Sequence, residues 1–315
     1  MDRTTGSAIA NLAAKPLGLT IDETNPYSGR HVILAASRPG LQAVIKIGAP
    51  EDANQMRHEV LVAESFADRG ISVARPLGEL QLVTPTGSEA GYPVSLWYWE
   101  PGSSLPPDEA SLVHLGRQLR LIHDCQFTDP PSAYRASFHD AVSVFWRQLE
   151  QRILADPSHP WHDQPSLLDW FGDQVSQISS DTEVMLYGSG PLYWGHCDLH
   201  PGNVLFANGR SVLLDFEMAT ATRFSRDPGM IASWPFGSTF NLEQTRPVAA
   251  GYGTIDLSEI LPLGPERQLT LVLSKVVRVF EGRVSAAELA DTVATMRRHP
   301  EGHPQWLDNV HLLFT

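Results

Sequence analysis

Asn208-Gly209 lies between two short apolar segments, Val204-Leu205-Phe206 and Ser211-Val212-Leu213-Leu214. That arrangement is the strongest short-range signal for a β-hairpin closed by a two-residue turn. The chain must double back here, and pairing Ala207 with Arg210 and counting outward sets Asn203 opposite Leu214, beside Asp215. Cross-strand neighbours lie about 5 to 8 Å apart, so the side chains of Asn203 and Asp215 come within reach of a single divalent ion. A strict register turns the two to opposite faces, so sharing an ion requires a looser turn or a twisted strand end.

Asp198 sits on the loop that enters this hairpin, within Gly195-His196-Cys197-Asp198-Leu199-His200-Pro201-Gly202-Asn203. Asp and Asn are hard oxygen ligands of the kind that suit Mg²⁺ shared with substrate phosphates. A separate carboxylate near such an ion can accept the proton of a hydroxyl that attacks phosphorus. Two other readings compete. His196, Cys197, Asp198 and His200 are all zinc or iron ligand types, but adjacent residues rarely point at one ion and no second compact His cluster stands out in the chain. The plainest reading is a polar loop ahead of a hairpin.

His196-x-Asp198-x-x-x-x-Asn203 followed by Asp215-Phe216 resembles the catalytic loop and metal-binding segment of the protein-kinase-like fold. The wording His-x-Asp-Leu-His-Pro-Gly-Asn-Val-Leu resembles the aminoglycoside phosphotransferase and choline kinase superfamily of small-molecule kinases. The resemblance implies an α+β, two-lobed protein-kinase-like fold: an N-lobe of antiparallel sheet and one helix over residues 1–97, then a larger, mostly helical C-lobe over 98–315. It implies transfer of the γ-phosphoryl group of ATP, or GTP, to a hydroxyl of a small molecule. Asp198 is then the catalytic base, Asn203 and Asp215 hold Mg²⁺, and His200 faces the transferred phosphoryl group or packs the loop. The acceptor stays open between an aminoglycoside and a metabolite of choline, homoserine or sugar type. A catalytically silent nucleotide-binding protein on the same fold is the alternative of another class.

Such a fold also needs a strand lysine paired with a helical glutamate to grip nucleotide phosphates. Of the three lysines, Lys46 lies in the β-rich run Leu41–Ile47 after the turn signal Arg38-Pro39-Gly40. Glu51 to Arg69 reads as a helix ended by Gly70, with Glu59 sharing a face with Met56, Ala63 and Phe66. A carboxylate on an apolar stripe wants a partner, and Lys46 supplies it; Glu64 is the competitor. Asn25 to His31, with Gly29 its one glycine, is the candidate phosphate turn, and no Gly-x-x-x-x-Gly-Lys-Ser/Thr occurs anywhere. Ile71 to Val83 and Val94 to Trp99 read as strands, the second leading by resemblance into a hinge of Tyr98, Trp99 and Glu100 that meets adenine. Leu112 to His123 has helical spacing, and His123 takes a structural role. Asp227, twelve residues past Asp215, matches the spacing of a family acid that braces the catalytic loop.

Three departures from the pattern stand out. Cys197 replaces the usual glycine before the base, Glu217 follows Phe216 where protein kinases have glycine, and the phosphate turn is poor in glycine. Glutamate at that third position is familiar among small-molecule members, and Cys197 is either a reactive thiol or a small buried hydrophobe.

Net charge of −13 disfavours nucleic acid and anionic membranes as partners and favours a cationic substrate. No run approaches 18 uncharged apolar residues; Leu269 to Phe280, the longest candidate, is interrupted by Lys275 and Arg278 and reads as an amphipathic helix. Met1 to Thr20 lacks a signal-peptide pattern, and two distant cysteines give no disulfide framework, so a reducing cytoplasm is the expected setting. Tryptophans at 146, 161, 170, 194, 234 and 306, with acids such as Asp140, Asp163, Asp169, Glu259 and Glu266, offer either walls for an amine-bearing acceptor or ordinary packing and solvated charge.

Overall fold

The structure, a computed structural model, describes residues 3–28, 31–88, 90–103, 107–125, 138–187, 192–237 and 240–315. In chain order these form α1 (Arg3–Ala14), β1 (Thr20–Ser28), β2 (Val32–Arg38), β3 (Leu41–Ile47), α2 (Ala53–Ala67), β4 (Gln81–Val83) and β5 (Tyr92–Tyr98). There follow α3 (Glu109–His123), α4 (Phe138–Ala155), α5 (Pro165–Tyr187), β6 (Tyr193–Gly195), β7 (Val204–Ala207), β8 (Arg210–Leu213) and β9 (Thr220–Thr222). The chain ends in α6 (Arg226–Gly237), α7 (Leu242–Tyr252), α8 (Gly264–Phe280), α9 (Ala286–Arg298) and α10 (Pro304–Phe314). Among the described residues no helix is long and apolar enough to cross a membrane. The chain divides into two units, the first taking in 1–122 and 202–219, the second 123–125, 135–201 and 220–315. The first unit therefore runs past Trp97 to include most of α3 and the later hairpin.

In the first unit an antiparallel sheet runs in the order β1-β2-β3-β5-β4. Strands β2 and β3 are joined by Pro39-Gly40, where proline fixes one corner and Gly40 takes φ 79°. Helix α1 lies on one face of the sheet, and Ile9, Ala10 and Ala13 are buried with Leu34, Ile45, Ile47 and Leu96. It adds to the single helix expected. Because side chains alternate along a strand, Lys46 points to the face opposite Ile45 and Ile47, where α2 carries Glu59. Helix α2 begins with a 3₁₀ turn at Pro50–Asp52 and is followed by Gly70 at φ 77°. The expected strand from Ile71 to Val83 is cut to Gln81–Val83, because Pro76 lacks an N–H and Gly78 adopts φ 97°; only isolated bridges, Val73 to Leu213 and Pro76 to Trp97, precede it.

Helices α4, α5, α8 and α9 enclose the main core of the second unit, built on Trp146, Ile153, Trp161, Phe171, Val272 and Leu289. A short antiparallel pair, β6 and β9, carries Gly195 into the loop that holds Asp198. Trp306 of α10 is 1% exposed and donates from Nε1 to the Gly229 carbonyl of α6 at 2.8 Å. Trp194 and Trp234 are buried as well, so packing, the second of the two readings above, accounts for most of the tryptophans.

Candidate active site

In the first unit, the hairpin register follows the sequence: Ala207 pairs with Arg210 and Val204 with Leu213, across a turn in which Asn208 and Gly209 both have positive φ. Leu214 N–H extends the pattern by donating to the Asn203 carbonyl at 2.9 Å. Both strand ends then leave extended geometry. Asn203 closes a 3₁₀ turn at Pro201–Asn203, and Asp215 adopts a left-handed φ 60°, ψ 69°, so the strict alternation that would separate their side chains no longer applies. Phe216 is 1% exposed and packs edge-on against Phe66 of α2 at 5.5 Å. His58 Nε2 bonds the Ala219 carbonyl at 2.6 Å. The segment after β8 is thus tied to α2 from both ends.

Lys46 Nζ donates to Glu59 Oε2 at 2.9 Å and to Asp215 Oδ1 at 2.8 Å, with Glu217 Oε2 at 3.6 Å. Glu59 is 2% exposed, whereas Glu64 is half-buried, and Glu59 is the helical carboxylate that meets Lys46. Burial alone would lower the Lys46 pKa, but the Glu59, Asp215 and Glu217 carboxylates outweigh it and hold the ammonium well above its ordinary value. Burial pushes Glu59 up to about 7, against the Lys46 charge that pulls it down. Carboxylate oxygens of Glu59, Asp215 and Glu217 lie within 4.8 Å of one another, so one ammonium faces three acids. Hard oxygen donors in negative excess suit a divalent cation. Glu217 stands out in the sequence only as a departure; His31, there only the end of the candidate phosphate turn, sits 3.5 Å from Asp52 and 3.8 Å from Glu217. Nothing in the spacing of those residues signals the contact.

At the expected hinge, Tyr98 and Trp99 are about half exposed. Tyr98 N–H donates to the Arg75 carbonyl at 2.9 Å and Trp99 N–H to the Gln42 carbonyl at 3.1 Å. Those two donors are committed within the unit, so any adenine donor must come from elsewhere. Gly29 lies outside the described residues.

In the second unit the loop after β6 is held from below. Asp227, at the start of α6, accepts the backbone N–H of His196 at 2.8 Å and of Cys197 at 2.9 Å. It is a positioning residue for the loop. Asp198 is half-buried and His200 exposed, and Leu199 is fixed through its carbonyl, which accepts from Trp234 Nε1 at 3.2 Å. His123 bonds Tyr252 Oη at 2.7 Å and Ser225 Oγ at 3.0 Å and stacks on Tyr193, in keeping with a structural role.

Cys197 has φ 62°, a left-handed conformation that costs a residue with Cβ roughly 1–2 kcal/mol and glycine almost nothing. That is the physical reason glycine is usual there. The thiol is 4% exposed, and burial pushes it up to about 12. A Cβ on Gly195 would meet its Sγ at 3.2 Å and Asp227 Oδ2 at 3.4 Å, so the neighbouring position stays small. Iodoacetamide at mildly alkaline pH is therefore expected to leave Cys197 unmodified in the folded protein and to alkylate it in denaturant. Rapid native modification, seen by peptide mapping, would contradict the buried inert thiol.

A family model described as a phosphotransferase enzyme family matches residues 25–263. The chain belongs to that family. Solved structures similar to this phosphotransferase share its fold at low identity. An amicoumacin kinase in complex with AMP-PNP, Ca²⁺ and Ami is 14% identical at TM-score 0.63, covering 96% of this chain and 93% of that one. A thermostable mutant of the aminoglycoside phosphotransferase APH(4)-Ia is 13% identical at TM-score 0.58, covering 91% and 98%. A spectinomycin phosphotransferase in complex with ADP and spectinomycin is 14% identical at TM-score 0.52, covering 94% and 88%. A search of curated proteins found no match. The phosphotransferase thus has the kinase-like α+β fold.

Proposed function

We propose that this phosphotransferase moves the γ-phosphoryl group of ATP to a hydroxyl of a small amine-bearing molecule, in the manner of an aminoglycoside phosphotransferase. The observation that carries the reading is the Lys46 ammonium held at 2.9 Å from Glu59 and 2.8 Å from Asp215, the pairing a nucleotide-gripping lysine requires.

In the reaction, Asp198 accepts the proton of the acceptor hydroxyl as its oxygen bonds to the γ-phosphorus and the bond to the β-phosphate oxygen breaks, releasing ADP. Lys46 grips the nucleotide phosphates, Glu59 orients Lys46, and Asp227 keeps the base on station through the N–H groups of its loop. Asn203 and Asp215 would hold a divalent cation, Mg²⁺ by the chemistry of the donors, and such an ion would supply charge neutralisation at the phosphates. His200, exposed two residues after the base, meets the phosphoryl group in this reading, as the family resemblance implies. The relatives solved with AMP-PNP and Ca²⁺ and with ADP support nucleotide and divalent-ion use here. The small-molecule ligands of those two structures, Ami and spectinomycin, support a small-molecule acceptor, and the net charge of −13 favours a cationic one over a neutral sugar. A choline- or homoserine-type metabolite fits the same chemistry.

The test is phosphate transfer from ATP and GTP with Mg²⁺ to a panel of aminoglycosides, amicoumacin, spectinomycin, choline, homoserine and simple sugars. Turnover of an amine-bearing acceptor supports the reading; turnover of neutral sugars alone would overturn the acceptor class, and nucleotide binding with no turnover of any acceptor would favour the silent alternative. Asp215→Ala is expected to weaken Mg²⁺-dependent nucleotide affinity about tenfold or more, a change of about 1.4 kcal/mol. Unchanged affinity would remove Asp215 from the ligand set.

A further inference from the structure

A cavity of about 430 Å³ lies wholly within the first unit, away from Lys46, among the end of α2, the stretch 70–75, α3 and the β7-β8 hairpin. Its walls include the guanidinium-bearing residues Arg75 and Arg210, together with His114, Gln118 and Glu100. In a chain of net charge −13, two arginines on one concave surface are notable. The polar groups between them make the case.

Gln118 is fixed in orientation, because its Oε1 accepts the Ser72 N–H at 2.7 Å. Its Nε2 is thereby turned toward His114 Nε2, 3.4 Å away. His114 is fixed as well. Its Nδ1 lies 3.1 Å from the Ser211 N–H, which can only donate, and 2.9 Å from Ser211 Oγ. Nδ1 is therefore the acceptor, and the neutral ring carries its proton on Nε2. Burial, with the charges of Arg210 and Arg117, holds His114 below the usual histidine range, which keeps the ring neutral at neutral pH. Two donors with locked orientations thus converge on the cavity and cannot satisfy each other. An acceptor in the cavity would take a bond from each. A neutral acceptor would suit the two N–H groups, but Arg75 and Arg210 select a charged one, and guanidinium groups favour planar or tetrahedral oxyanions.

We propose that this cavity binds the oxyanion, phosphate or carboxylate, of a small molecule, with Gln118 and His114 donating to it and Arg75 and Arg210 supplying the charge. Glu100 shares the arginines' field: burial raises its pKa while Arg210 and Arg75 lower it, so its carboxylate competes with the ligand for the same guanidiniums. The site shares Glu100 with the expected hinge but includes none of Lys46, Glu59, Asp198, Asn203 or Asp215, and its occupancy does not depend on phosphate transfer.

The experiment is calorimetric titration of the full chain, at constant ionic strength, with inorganic phosphate and with succinate. The arms are the wild type, an Arg75→Gln/Arg210→Gln double variant, Glu100→Gln and Lys46→Gln. Arg75 and Arg210 are exposed, so their replacement leaves the core intact. At least one anion is expected to bind in the millimolar range, about tenfold more weakly in the double variant, a difference of about 1.4 kcal/mol. Glu100→Gln should tighten binding, and Lys46→Gln should leave it unchanged. Which anion binds more tightly separates a phosphate from a carboxylate ligand. The proposal is overturned if neither anion binds by about 50 mM, if binding survives the double arginine change, or if it is lost with Lys46→Gln, which would move the anion to the nucleotide-gripping lysine. None of these readouts requires phosphate transfer, so failure here and failure of the proposed activity are told apart.

Discussion

Replacing Asp198 by asparagine is expected to cut turnover by about 10²-fold or more while leaving Mg²⁺-nucleotide binding nearly intact. Asparagine keeps the size and the hydrogen-bonding reach of the side chain but cannot take up a proton from an attacking hydroxyl. The loop around it should not change, because its supports are elsewhere: Asp227 accepts the N–H groups of His196 and Cys197 at 2.8 and 2.9 Å, and Trp234 holds the Leu199 carbonyl. Asp227→Asn offers the instructive contrast. It weakens charge-assisted bonds to the loop without touching the reacting atoms, so its loss should appear together with lower thermal stability, whereas Asp198→Asn should melt like the wild type. Comparing turnover, nucleotide affinity and melting temperature for the two variants separates the roles. Full activity in Asp198→Asn would remove it as the base, and a fall in its melting temperature comparable to that of Asp227→Asn would mean that Asp198 acts through the fold.

Local signals made part of this architecture readable in advance, and long-range ones hid the rest. Asn208-Gly209 fixed the β7-β8 register because positive φ at two successive positions is a property of those two residue types. Lys46 and Glu59 were readable because each is a charge set in an apolar pattern, cheapest when paired, and because the family resemblance calls for a strand lysine and a helical glutamate at about those places. Asp227 could be matched only by its resemblance in spacing to a family acid, with the two backbone N–H groups that donate to it unforeseen. The strand expected from Ile71 is cut short because Pro76 and Gly78 interrupt the run that Ile71 and Val73 begin. Helix α1 went unremarked because its buried face is largely alanine, Ala10, Ala13 and Ala14 around Ile9, which gives a faint apolar stripe. The tryptophans could not be sorted between wall and core without tertiary packing. Glu266, one of the acids noted as a possible partner for a cationic acceptor, is 1% exposed and belongs to the interior. Its partner Arg226 lies forty residues earlier in the chain, a separation at which no sequence pattern operates.

Glu266→Ala should accordingly destabilise the second unit strongly. The Glu266 carboxylate accepts from Arg226 at 2.9 Å and from Arg267, and all three side chains are buried. Burial pushes the carboxyl pKa up, but the Arg267 and Arg226 guanidiniums outweigh it and hold it below the usual glutamate value. Removing the acid leaves two cations in a low-dielectric interior with no counter-charge, a loss of about 3–5 kcal/mol when one partner of a buried pair is deleted. The damage should reach the active loop, because Arg226 adjoins Asp227 and its guanidinium lies beside the Cys197 thiol. A group whose folded pKa is depressed contributes stability above its unfolded value, and that contribution is lost as pH falls through the folded value. The wild type should therefore lose stability on acidification below about pH 4.5, the ordinary glutamate value, and the variant should show a shallower acid limb from a lower starting point. Chemical denaturation at neutral and acidic pH measures both. A variant as stable as the wild type at neutral pH would mean that the arginines find other partners, and an unchanged acid limb would mean that other carboxylates govern it.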